Sequence, residues 1–184
     1  MKKTLVFACV LALALGATAQ EQLTFSDLPL VSIPTLLPNG YGQLIWSNFF
    51  YVDPAEWSGA GPGYKLGPDR GDVAFIGGKS CIYAYRKGIQ LLPEACYGTI
   101  SSASGPISFQ AVSAMAAAGF SPNNVTVTAY NNGKYVGSSV YNLTTLPQSI
   151  SFPASWGAIT ELVIQTDASG DFVLFNLSVY MLGG

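Results

Sequence analysis

Between residues 125 and 141 the chain reads Val125-Thr126-Val127-Thr128-Ala129-Tyr130, then Asn131-Asn132-Gly133-Lys134, then Tyr135-Val136-Gly137-Ser138-Ser139-Val140-Tyr141. Apolar and polar positions alternate on both sides of an Asn-Gly pair. Successive side chains of a strand point to opposite faces, so a period of two sends one set to a core and the other to water. Asn-Gly accepts the positive φ of a two-residue hairpin turn. The pattern therefore predicts a hairpin turning at Asn132-Gly133. Similar short runs predict strands at Gln43–Val52, Asp72–Ile76, Cys81–Tyr85, Ile107–Ala114, Gln148–Phe152, Glu161–Thr166 and Phe172–Met181. Proline and glycine punctuate the gaps, as at Pro38-Asn39-Gly40, Gly67-Pro68 and Gly105-Pro106.

Within Gln43–Val52, alternation sets Trp46, Asn48 and Phe50 on one face and Ser47, Phe49 and Tyr51 on the other, with Trp46 assigned to the core. Residues 111–118 are the one stretch rich in helix formers. They are expected to run as a small-residue strand into a turn at Gly119, a helical turn being the alternative. About nine short strands without a repeat predict an all-β fold, an antiparallel two-sheet β-sandwich. The long irregular stretch from Asp53 to Gly71 carries Trp57, Tyr64, Asp69 and Arg70 among glycines and prolines. Loops of that length are uncommon and often functional.

The N-terminus departs from this pattern. Lys2 and Lys3 precede an apolar run ending near Leu15, followed by Ala17-Thr18-Ala19. That is the layout of a secretory signal peptide with a small-x-small cleavage site. Residues 1–19 are the expected leader and residues 20–184 the single mature domain, secreted and extracellular. No later run reaches the roughly 18–20 apolar residues of a membrane span, so no membrane attachment is expected after cleavage.

Composition sharpens the functional choices. Charged residues make up 10% of the chain and hydrophobic ones 49%. Without Lys2 and Lys3, six basic residues face ten acidic ones, a net charge of −4. A mildly acidic chain with no basic cluster excludes nucleic acid as the expected partner. The chain has no histidine, which removes Ser-His-Asp and Cys-His catalysis and histidine-bearing zinc sites. Cys9 leaves with the leader. Cys81 and Cys96, 15 residues apart in an exported chain, point to one disulfide, two free thiols being the alternative.

The block Gly40-Tyr41-Gly42-Gln43-Leu44-Ile45-Trp46-Ser47-Asn48-Phe49-Phe50-Tyr51-Val52 resembles the opening motif of a family of mostly uncharacterised secreted proteins frequent in filamentous fungi. Val73–Gly78, Ile107-Ser108-Phe109, Val125–Tyr130 and Phe172–Val179 fit the same pattern in order. The resemblance implies a jelly-roll sandwich of the galactose-binding-like kind. Relatives carry paired acids near the first strand and Asp-Asn in the last, where this chain has Ser26-Asp27 and Phe175-Asn176. Such acids help hold a structural calcium, and the departures leave Asp27 and Asn176 as its weakened candidates; no other cofactor is implied. A eukaryotic host, which the resemblance also implies, would make the sequons at Asn124, Asn142 and Asn176 glycosylation acceptors. The first two are favoured because they flank the hairpin.

Three functions fit. A non-catalytic domain binding carbohydrate, such as a cell-wall polysaccharide, needs aromatic rings for the apolar sugar face and polar groups for its hydroxyls. Trp57, Tyr64, Asp69 and Arg70 in the long loop, with Tyr83, Tyr85 and Arg86 beside Cys81, offer that mixture. A secreted effector or elicitor acting on a host surface component suits the size and the leader. A carboxylate glycosidase needs two acids about 5–10 Å apart, and Asp53, Glu56, Asp69, Asp72, Glu94 and Glu161 show no specific spacing. The first function is the expected one, with no catalytic residue.

Overall fold

The computed structural model describes residues 20–53, 55–56, 73–76, 97–116, 123–144, 146–166 and 172–182. Twelve strands lie in these segments. They are β1 (Gln20–Leu23), β2 (Thr35–Leu36), β3 (Leu44–Ser47), β4 (Phe49–Val52), β5 (Val73–Ile76) and β6 (Tyr97–Ser102). Then come β7 (Ile107–Ala116), β8 (Asn123–Asn131), β9 (Lys134–Leu143), β10 (Gln148–Ser151), β11 (Glu161–Thr166) and β12 (Phe172–Met181). A seven-stranded sheet has the order β10-β7-β12-β5-β4-β2, with β1 also on β12, and a five-stranded sheet has the order β3-β6-β11-β8-β9. Every pairing is antiparallel.

The hairpin forms where the alternation sets it. Asn132 and Gly133 both have positive φ, 49° and 74°, the backbone of a type I′ turn, and Asn131 pairs with Lys134 across it. Along β8, Val125, Val127 and Ala129 are buried. Residues 111–116 continue β7 as a strand. The expected strand Cys81–Tyr85 lies outside the described residues.

The expected strand Gln43–Val52 is in fact two strands in different sheets. Asn48 takes φ 62°, a left-handed conformation that asparagine tolerates better than most residues. The chain there leaves the five-stranded sheet for the seven-stranded one. Strict alternation would put Trp46 and Phe49 on opposite faces, yet both are buried. Their rings meet edge to face at 5.2 Å. Trp46 also meets Phe25 at 5.9 Å, and its indole N–H donates to the Tyr41 carbonyl at 2.8 Å. The structure adds β1, β2 and β6, which the periodicity did not mark. In β6 the run Tyr97-Gly98-Thr99-Ile100 has too few apolar side chains to stand out.

Leu162, Ile164 and Ile100 from the five-stranded sheet share one core with Phe109, Leu174, Leu177 and Val179 from the seven-stranded one. The two sheets thus form a sandwich, each covering the other's apolar face. Phe152 and Trp156 close one side of it, stacked at 5.9 Å. Full burial of a side chain such as Phe49 or Leu162 stabilises by about 1.5–3 kcal/mol.

Candidate surface on the five-stranded sheet

With one face of the five-stranded sheet committed to the core, the strand register places the other side chains in rows across the opposite face. One row runs Ile45, Ser101, Glu161, Tyr130, Tyr135. The next runs Ser47, Thr99, Val163, Thr128, Ser138. A third runs Tyr97, Gln165, Thr126, Val140. Beyond it Asn124 and Asn142 lie opposite each other. Neighbouring strands are about 4.8 Å apart, so the five strands span about 19 Å.

The chemistry of these rows is narrow: hydroxyls, amides, three tyrosines and a few aliphatic side chains, with Glu161 the one carboxylate. Tyr97 and Tyr135 are 59% and 65% exposed. Tyr130 and Tyr135 meet edge to face at 6.2 Å, a cross-strand aromatic pair that holds both rings in place. The Thr128 and Ser138 hydroxyls hydrogen-bond to each other at 3.1 Å. The Asn142 amide donates to Asn124 Oδ1 at 3.0 Å. On the flank, Asn48 Nδ2 donates to the Tyr97 carbonyl at 2.6 Å, tying the strand-switching residue to the base of an exposed tyrosine. Polar groups already oriented by neighbours lose less freedom when a ligand arrives.

Trp57, Tyr64, Asp69, Arg70, Tyr83, Tyr85 and Arg86 lie outside the described residues, as do Cys81 and Cys96. Of the sequons, Asn124 and Asn142 are exposed and share the amide pair just described, while Asn176 is half-buried on β12. Of the calcium candidates, Asp27 sits in the turn after β1, where its Oδ1 accepts a hydrogen bond from the Tyr41 hydroxyl at 2.7 Å. Among the described residues no group of three or more acids, cysteines or histidines comes together. The rows of the sheet face were missed because Ser, Thr, Gln and Tyr at alternate positions look like any solvated strand. Only pairing of strands distant in sequence turns them into one surface.

No family model matches the sequence, and no curated protein matches it. Among solved structures, TmCBM61 in complex with beta-1,4-galactotriose is similar at 10% identity over 73% of this chain and 86% of that one, with a TM-score of 0.40. A structure described as CBM4 structure and function is similar at 13% identity over 85% and 96%, with a TM-score of 0.39. The CBM22-1–GH10 modules of a Clostridium thermocellum xylanase, complexed with xylohexaose, are similar at 10% identity over 76% and 26%, with a TM-score of 0.37. Similarity of this extent assigns neither a ligand nor a site.

Proposed function

We propose that this protein binds a neutral carbohydrate, without catalysis, on the outer face of the five-stranded sheet. The observation that carries the reading is the makeup of that face: exposed tyrosines set among hydroxyls and amides, with one carboxylate. A sugar ring offers an apolar face of C–H groups to an aromatic ring and hydroxyls to polar neighbours. Tyr97 and the Tyr130–Tyr135 pair stand at opposite corners, about 16–20 Å apart by strand spacing and rise, a span for several linked rings. The scarcity of cationic side chains disfavours nucleic acid, whose anionic phosphates are held by lysine and arginine. Hydrolysis of a glycosidic bond needs two carboxyl groups within about 10 Å, and Glu161 has no second acid in these rows. The setting we propose is extracellular, after removal of residues 1–19, with a cell-wall polysaccharide as the natural ligand class.

A glycan array followed by calorimetry on the best neutral oligosaccharide tests this. Tyr97→Ala and Tyr135→Ala should each weaken binding about tenfold, a loss of about 1.4 kcal/mol, with the melting temperature almost unchanged because both rings are exposed. Trp57→Ala is the matched control for the long loop. If it alone abolishes binding, the site is that loop and not the sheet face. An array with no neutral glycan bound, alongside a specific host protein recovered in a pull-down, would replace the reading with the effector alternative.

A further inference from the structure

β9 ends the five-stranded sheet and has β8 as its one strand partner among the described residues. It is ten residues long, whereas the other strands with a single partner, β3, β10, β2 and β1, have four, four, two and four. Shortness is one device that keeps a sheet edge from pairing with another chain; prolines, charges and β-bulges are others. β9 contains no proline, and its one charged residue, Lys134, is its first. The register with β8 shifts between Ala129 and Tyr130, leaving Val136 as the extra residue near the turn. From Gly137 to Leu143 it runs unbroken. Along that stretch alternate residues direct their backbone N–H and C=O away from β8.

We infer that β9 pairs antiparallel with β9 of a second copy about a two-fold axis, joining two five-stranded sheets into one continuous sheet. The midpoint of Gly137–Leu143 is Val140. Self-pairing over that stretch therefore sets Val140 against its own copy, Ser139 against Tyr141, Ser138 against Asn142 and Gly137 against Leu143. All are uncharged, and the two Lys134 residues fall at opposite ends, so no like charges meet across the pair. Val140 is 64% exposed in the single chain, and the pairing sets its two copies side by side on the outer face. A two-fold arrangement uses both β9 edges and closes at the dimer. The inference stands on the edge strand alone and does not depend on glycan binding.

Sedimentation velocity across a concentration series reads it out. The protein should sediment as a dimer. Val140→Lys and Val140→Glu, at a site exposed enough to leave the fold intact by near-UV circular dichroism, should each raise the dimer dissociation constant at least tenfold. An equimolar mixture of the two variants should recover the dimer, because the opposed residues then carry opposite charges. A parent protein that is monomeric throughout would overturn the inference. So would charged variants that dimerise as the parent does, or a mixture that stays monomeric.

Discussion

The Tyr41 hydroxyl donates to Asp27 at 2.7 Å and accepts from the Phe25 amide at 2.9 Å, while its ring stacks on Phe25 at 5.5 Å. Burial, reinforced by the hydrogen bond to the Asp27 carboxylate, pushes its phenol well above the ordinary tyrosine value. A raised value means that neutral Tyr41 contributes its full stabilisation below about pH 10, the ordinary tyrosine pKa. That contribution is lost as pH rises through the shifted value. Tyr41→Phe strands a partly buried amide and should cost about 1–2 kcal/mol at neutral pH. Denaturant titrations of both proteins should show the gap constant up to about pH 10 and shrinking above it, where ordinary tyrosines ionise; a gap that widens there would contradict this account. Nothing in the sequence marks this contact, since Asp27 and Tyr41 come together only through the fold. Gly137 is similar. A Cβ there would lie 2.5 Å from Trp156 Nε1, so the glycine marks the place where Trp156 approaches β9 too closely for a side chain.

Among the elements, the β8–β9 hairpin was legible apart from the bulge at Val136, because alternation and an Asn-Gly turn are local signals. Gly133→Ala tests the turn by itself. With φ at 74° the added methyl is strained, and the cost should be about 1–2 kcal/mol, seen as a lower urea midpoint at unchanged slope. The β3–β4 segment was legible only in part. Its apolar run marks a strand, but the sheet switch at Asn48 shows in no periodicity. A left-handed residue reverses which positions face inward, and asparagine at that position is a permissive residue rather than a signal. β6 was missed for the converse reason: it is a central strand buried on one face through Gly98 and Ile100, and a buried glycine carries no hydrophobic mark.

For the whole molecule, the sandwich follows from apolar faces that neither sheet can bury alone. We propose that Cys81 and Cys96 are bonded to each other, closing a loop that ends directly before β6 at Tyr97. Thiol labelling of the native protein should find no reactive cysteine. Reduction should destabilise the protein by about 3 kcal/mol, the chain-entropy value for a loop of this length, measured as a drop in melting temperature. Two labelled cysteines in freshly purified native protein would show the pairing wrong.

The sequence by itself determined the class of fold, the hairpin and the low share of charged residues, because period, turn chemistry and composition act over a few residues or over the whole chain at once. It also determined which chemistries lack their residues, histidine above all. Tertiary structure decided which strands are neighbours, and that decision made a surface from Tyr97, Thr126, Tyr130, Tyr135 and Gln165, residues drawn from four strands. It likewise decided that, among the described residues, β9 ends its sheet with β8 as its one strand partner and Val140 midway along its regular stretch. Strand order and register are set by the packing of two apolar faces across one core, an energy shared among residues far apart in the chain.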